Sequence, residues 1–139
     1  MRIDHVIYGT ADLNATAMRL HAKLGLVAVD GGRDEGLGTH LRIVALEDGS
    51  FLALMAVADP EAAKRSALGA ALQAAIARRE GLLGWAVAVD DLGPVVERIG
   101  TPINTVARPG ATERLTGLAE SLPEPCLPFF VERRAVQTA

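Results

Sequence analysis

Cysteine is nearly missing from this sequence. Cys126 is the only one, so no internal disulfide can form, and we expect the reducing cytoplasm as its location. Long apolar runs are missing as well. No segment approaches the roughly 18 uninterrupted apolar residues that a membrane helix needs, so we expect no membrane partner. Histidine and aromatic residues are scarce, which makes each of them informative.

An excess of positive charge is also missing. Lys and Arg number 14 against 17 Asp and Glu, a net charge of −3. The arginines are scattered and form no dense basic cluster, so we expect no nucleic-acid partner. The sequence does contain 50% apolar residues and 22% charged residues, a composition typical of a globular chain. A chain of 139 residues is long enough to bury a real core.

Two stretches of the chain share one pattern. Each resembles a strand that leads into a helix through an acidic residue and a leucine, Asp12-Leu13 in the first stretch and Asp91-Leu92 in the second. Aligning Asp12-Leu13 with Asp91-Leu92 places His5 opposite Gly84. The repeat predicts one domain over residues 1–139. Its parts are module one at 1–58, a connector helix at 59–81 and module two at 82–139.

The sequence of each module predicts the same order of elements: strand, helix, strand, strand, strand. Alternation of apolar residues and turn signals place the elements. The predicted strands are 2–9, 26–29, 41–46 and 51–57 in module one, and 82–89, 103–107, 114–121 and 127–132 in module two. The first helix begins at Asp12 or Asn14 and ends at Gly25. We interpret the glycine-rich segment from Gly31 to Gly38 as a flexible lid.

Several short motifs occur in a specific order. They are Asp4-His5-Val6, Gly31-Gly32, Gly38-Thr39, Phe51-Leu52-Ala53-Leu54, Gly84-Trp85-Ala86-Val87 and Pro128-Phe129-Phe130-Val131-Glu132. In this order and spacing the chain resembles the vicinal oxygen chelate superfamily, and more narrowly a glyoxalase-like domain group. The resemblance implies an α+β fold in which two paired βαβββ modules form a curved mixed sheet around a cleft.

The resemblance also implies metal ligands on the first and fourth strands of each module. Carried over, those positions are His5, Ala53, Gly84 and Glu132, of which only His5 and Glu132 can bind a metal. A facial site generally needs three protein ligands, and a third would have to come from His40 or Asp34. We therefore expect an incomplete metal site and no cofactor, with a divalent metal as the weaker alternative.

Alternation along the strands predicts which side chains line the cleft. It places His5 on one face with Ile3 and Ile7, and it turns Trp85 away from that face. The small side chains of Ala53 and Gly84 would leave space for a ligand. The predicted substrate-binding residues are Arg108, Phe51, Ala53, Met55, Gly84, Phe130 and His40.

Two chemical roles are open for the polar residues. His5 and Glu132 could form a catalytic pair, because a carboxylate orients an imidazole and raises its pKa. Alternatively, His5 is a satisfied pocket histidine and Glu132 pairs with an arginine. Arg108 could anchor an anionic substrate with its guanidinium, or it could be a solvated residue at the sheet edge.

These observations favour a glyoxalase-like small-molecule enzyme. It would act as a lyase, an isomerase or a related proton-transfer enzyme on a small anionic compound in an apolar cleft. The alternative is a non-catalytic protein of the same fold that binds or sequesters a small molecule, as drug-resistance members of the superfamily do. The sequence leaves open whether the chain is a monomer or a homodimer, and whether the modules pair within or between chains.

Overall fold

The computed structural model describes residues 1–133, and its elements repeat as the sequence indicates. The strands are β1 Arg2–Gly9, β2 Val29–Asp34, β3 Thr39–Ala45, β4 Phe51–Val57, β5 Gly81–Val89, β6 Ile103–Arg108, β7 Ala111–Thr116 and β8 Phe129–Glu132. The helices are α1 Leu13–Leu24, α2 Pro60–Lys64, α3 Ala67–Arg78, α4 Gly93–Ile99 and α5 Leu118–Ser121. The predicted end of module two, 134–139, lies outside the described residues.

The helix boundaries follow the predicted capping signals. The Asp12 carboxylate accepts a hydrogen bond from the Ala15 amide and begins α1, which ends at Gly25 in the left-handed conformation. The Asp59 carboxylate accepts hydrogen bonds from the Glu61 and Ala62 amides and begins α2. These boundaries are set by local chemistry, which is why the sequence predicts them.

All eight strands of residues 1–133 form one sheet in the order β2-β3-β4-β1-β5-β8-β7-β6. The two modules join within one chain through the antiparallel pair β1 and β5. The Ala107 amide of β6 donates to Asp34 Oδ2 of β2 at 2.7 Å, so the two edge strands approach each other. The α+β fold of paired modules in a curved, nearly barrel-like sheet is thus confirmed.

Three predicted elements differ in the structure. The strand predicted at 26–29 instead spans Val29–Asp34. The connector is not one helix but two, because the Ser66 hydroxyl accepts from the Gly69 amide and begins a new helix, α3. The strand predicted at 114–121 instead spans Ala111–Thr116. Gly117 follows with φ of 88° and turns the chain into the short helix α5.

The glycine-rich segment does not form the predicted lid. Strand β2 runs through Gly31 and Gly32 and shifts register there against β3. Gly38 then adopts φ of 69°, and its carbonyl accepts hydrogen bonds from the Ala58 and Asp59 amides. A Cβ at this position would lie 2.3 Å from the Asp59 carbonyl oxygen. The turn is therefore anchored against the start of α2.

The two faces of the sheet pack against different helices. The inner face packs against α3 and α5 in one continuous core; its members include Ile7, Ala53, Met55, Leu72, Ala86, Leu118, Phe129 and Val131. The outer face packs against α1 through Leu54 and Ala56. The inner face, which was expected to line an open apolar cleft, is largely filled by the chain's own helices.

Candidate functional site

Asp4 and His5 are adjacent in sequence and both point to the inner side of the sheet. Simple alternation would separate them, but β1 shifts register against β5 between Ile3 and His5. Such a bulge changes the direction of one side chain. Asp4 is 1% exposed and His5 is 2% exposed. The distance from His5 Nδ1 to Asp4 Oδ2 is 2.7 Å, a strong hydrogen bond between two buried groups.

Two phenylalanines fix the plane of the His5 ring. Phe51 of β4 stacks on it with a centroid distance of 4.6 Å and an interplanar angle of 9°. Phe129 of β8 meets it edge-on at 5.6 Å. Nδ1 is held by Asp4, and Nε2 has no hydrogen-bond partner within residues 1–133.

A chain of ion pairs continues from the Asp4 carboxylate across the sheet. Arg133, directly after β8, donates to Asp4 through Nε at 3.0 Å and through Nη2 at 2.9 Å. Its Nη1 contacts Glu113 Oε2 of β7 at 2.7 Å. Arg108 at the end of β6 donates to Glu113 Oε1 at 3.2 Å. We call these residues, Asp4, His5, Arg133, Glu113 and Arg108, the inner polar network.

The network keeps Asp4 ionised. Burial by itself raises the pKa of Asp4, but the hydrogen bonds from His5 and Arg133 and the charge of Arg133 outweigh it and hold the pKa well below its usual range. Burial likewise lowers the pKa of Arg133, but Asp4 and Glu113 raise it above its usual range. An ionised carboxylate only accepts, so Nδ1 of His5 carries a proton. In the neutral form of such a ring the lone pair is on Nε2.

Three predicted site residues lie on the outer face. Phe129 faces His5, so alternation turns Phe130 and Glu132 the other way. Glu132 Oε2 accepts from the Leu92 amide at 3.0 Å, and Oε1 accepts from Arg114 at 3.0 Å. His40 pairs with Ala56 of the outer face and contacts Asp30 at 3.0 Å. The structure therefore does not bring Glu132, Phe130 or His40 to His5.

The other predicted residues lie on the inner side. Phe51 contacts His5 directly. Arg108 joins the inner polar network, with 23% of its side chain exposed. Ala53 and Met55 are buried in the core, and the space beside Gly84 is occupied by Phe129 and Leu118.

One residue that was predicted to share a face with His5, Ile3, lies on the other face. His5 and Ile7 both point inward, but Ile3 is 57% exposed and pairs with Val87 before the bulge. The bulge reverses the alternation between Ile3 and His5, so the prediction that they share a face is wrong. Trp85 does point away from the His5 face, as predicted, and its indole donates to the Cys126 carbonyl at 3.0 Å.

The side chains do not fit the metal site that the superfamily resemblance implies. Ala53 and Gly84 offer no ligand atom, and Glu132 lies on the opposite face from His5. Asp34, considered as a third ligand, accepts the Leu37 and Ala107 amides instead. Within residues 1–133 no group of three His, Cys, Asp or Glu side chains could hold a metal ion.

Sequence reasoning missed Asp4, Glu113, Phe129 and Arg133 as site residues. Asp4 had a visible signal, because the Asp-His dipeptide opens the first motif, but strict alternation assigned its side chain to the other face. Phe129 had a signal too, since one of two consecutive phenylalanines must face inward. Glu113 and Arg133 had none, because their contacts depend on how β7 and β8 pair.

The paired βαβββ modules in one curved sheet define the fold of the vicinal oxygen chelate class. The family model for the glyoxalase-like domain matches residues 3–138, and the chain belongs to this family. This confirms the resemblance that the motifs indicated. A search of curated proteins finds no match.

Several solved structures share the fold. A variant of the Streptomyces coelicolor methylmalonyl-CoA epimerase, in complex with 2-nitronate-propionyl-CoA, is 23% identical with a TM-score of 0.65, covering 97% of this chain and 99% of that one. The Mycobacterium tuberculosis methylmalonyl-CoA epimerase is 20% identical with a TM-score of 0.63, covering 96% and 89%. A hypothetical protein from Bacillus halodurans is 16% identical with a TM-score of 0.68, covering 99% and 98%. At these identities the likeness establishes the fold.

The helices of residues 1–133 include none that is both long enough and apolar enough to cross a membrane.

Proposed function

We propose that the protein is a small-molecule enzyme, an isomerase or lyase, in which His5 transfers a proton to or from a small anionic substrate. The observation that carries this proposal is the buried Asp4–His5 pair, with Nδ1 held at 2.7 Å from the carboxylate and the ring fixed by Phe51. An imidazole oriented by a carboxylate is a common general base. Family membership and the epimerases among the similar folds support the same reaction class.

The proposed step uses only groups that the chain supplies. Nε2 of His5 removes a proton from a carbon next to a carbonyl group, and the electron pair of that C–H bond moves onto the carbonyl oxygen. The imidazolium that forms is stabilised by the ionised Asp4. If the planar intermediate turns its other face to the imidazole, Nε2 returns the proton to that face, the electron pair moves back from oxygen to form the new C–H bond, and the carbon is inverted; return to the original face regenerates the substrate.

Arg108 is the proposed anchor for the anionic group of the substrate. One of its Nη atoms contacts Glu113 and the other donates to its own strand's carbonyl at Ala107, which leaves N–H groups unused on a partly exposed guanidinium. The inner polar network links it to the Asp4–His5 pair through Glu113 and Arg133. We also propose a cytoplasmic location, supported by the lone cysteine.

Hydrogen exchange at carbon tests the proposal without knowledge of the full reaction. The protein is incubated in D₂O with methylmalonyl-CoA, methylmalonate, pyruvate and dihydroxyacetone phosphate, and NMR measures deuterium at the carbon beside the carbonyl. We expect exchange with at least one compound, and a loss of at least about a hundredfold in His5→Gln.

His21→Gln is the matched control, because His21 is exposed on α1 and lies outside the inner polar network. It should exchange at the wild-type rate. Equal rates in His5→Gln and wild type would overturn the role of His5. Binding of a compound without any exchange would instead support the alternative, a protein that sequesters its ligand.

A further inference from the structure

We infer that Arg133 is a positioning residue that fixes the Asp4 carboxylate and, through it, the tautomer of His5. This inference rests on the proposed function of the Asp4–His5 pair. Arg133 follows the last strand of module two, whereas Asp4 and His5 lie on the first strand of module one. The reactive histidine of one module would thus be aligned by an arginine of the other.

The contact between Arg133 and Asp4 is bidentate. Nε donates to Oδ1 at 3.0 Å and Nη2 donates to Oδ2 at 2.9 Å. Two parallel hydrogen bonds from a planar guanidinium prevent the carboxylate from rotating about its Cβ–Cγ bond. Oδ2 is also the atom that accepts from His5 Nδ1, at 2.7 Å. The clamp therefore determines where the acceptor of the imidazole lies.

Arg133 is itself held from the opposite side. Its Nη1 lies 2.7 Å from Glu113 Oε2, and Glu113 is 6% exposed. Arg108 contacts the other oxygen of Glu113. The guanidinium is therefore fixed between two buried carboxylates of different strands, β1 and β7, and it can hold Asp4 only in one orientation.

Arg2 provides the comparison within the same site. It also approaches Asp4, but its closest contact is 3.6 Å to Oδ1 and its side chain is 53% exposed. It contributes positive charge near Asp4 without a bidentate contact. If charge alone positioned Asp4, loss of Arg2 would matter as well, whereas a clamp requires Arg133.

The test is the tautomer of His5, measured by ¹⁵N NMR of the imidazole in wild type, Arg133→Lys, Arg133→Gln and Arg2→Gln. We expect wild type and Arg2→Gln to show the single tautomer protonated at Nδ1. Arg133→Lys keeps the charge that the two buried carboxylates need, but one ammonium cannot make the paired contacts. It should show both tautomers, as should Arg133→Gln if it folds.

A single Nδ1-protonated tautomer in folded Arg133→Lys would overturn the inference, and so would a tautomer mixture in Arg2→Gln. If Arg133→Gln does not fold, Arg133→Lys decides the result. Where the exchange assay has found a substrate, Arg133→Lys should lose about a hundredfold in kcat with KM little changed, as expected when a catalytic group is misaligned. The NMR result does not depend on activity, so failure of the proposed function and failure of the clamp are distinguishable.

Discussion

At the scale of single residues, the main feature is a carboxylate buried where carboxylates are rarely found. Asp4 is 1% exposed, and an isolated charge there would be strongly unfavourable. It is tolerated because His5 and Arg133 together supply three hydrogen bonds to its two oxygens. Removal of any one partner would leave a buried charge poorly compensated, so Asp4 links the stability of the protein to its proposed chemistry.

We expect Asp4→Asn to lower the free energy of unfolding at neutral pH by about 3 kcal/mol. This value is at the low end for a broken buried ion pair, because the side chain of its partner Arg133 is 33% exposed. Urea unfolding measures it. Asp90→Asn, at an exposed position, is the control and should stay within about 0.5 kcal/mol of wild type.

The loss of unfolding free energy in Asp4→Asn should depend on pH, and the pKa of Asp4 gives the direction. The folded-state pKa of Asp4 lies below its unfolded value of about 3.9, so the ionised group stabilises the fold above that pH. The contribution is lost as the pH falls below about 4 toward the depressed pKa. The gap between wild type and Asp4→Asn should therefore narrow in acid, and a gap that widens would contradict the assignment.

At the scale of elements, local signals were sufficient to predict most of the fold. Capping residues such as Asp12 and Asp59 act within a few residues, and they begin helices where predicted. The divided connector and the shortened strand β7 have local causes at Ser66 and Gly117, whereas the errors in side-chain direction involve partners distant in sequence. The bulge at Asp4 depends on β5, and the inward face of β8 depends on its parallel register, in which Ala86 pairs with Phe129. No pattern within one strand contains that information.

The same limit explains why the expected cleft proved to be largely core. Alternation correctly placed Ala53 on the inner face, but it could not show that α3 and α5 pack against that face. Small residues can leave room for a ligand or for a neighbouring helix, and only the tertiary packing distinguishes the two. A bulky substitution at Ala53 can therefore distinguish a packed interior from an open cleft.

We expect Ala53→Trp to lower the free energy of unfolding by about 3 kcal/mol or more, because Ala53 is 2% exposed and an indole would overpack the core. Ala45→Trp is the matched control on the neighbouring strand, where the side chain is exposed. It should change stability little. Equal stability of the two variants in urea would mean that the inner face is an open cleft at Ala53.

At the scale of the whole molecule, the β1–β5 pair joins the two modules, and two further sets of polar contacts connect them. The inner polar network joins β1 to β7 and β8, and the Asp34 contact joins the edge strands β2 and β6. Closure of the sheet places Arg108, the residue after Ala107, at the end of the network. The position of the proposed anion anchor thus depends on a contact made by the other module.

Asp34→Ala tests this closure. The two carboxylate oxygens accept from different amides, Oδ1 from Leu37 at 2.9 Å and Oδ2 from Ala107 at 2.7 Å. Alanine has no side-chain acceptor, so both N–H groups lose this partner, at a cost of about 1–3 kcal/mol for each group left unsatisfied. Hydrogen–deuterium exchange should then show faster exchange in β6, with Glu35→Ala, at an exposed neighbouring position, unchanged. Unaltered protection of β6 in Asp34→Ala would mean that the pairing of β6 with β7 alone holds that edge, and that Arg108 is placed without help from module one.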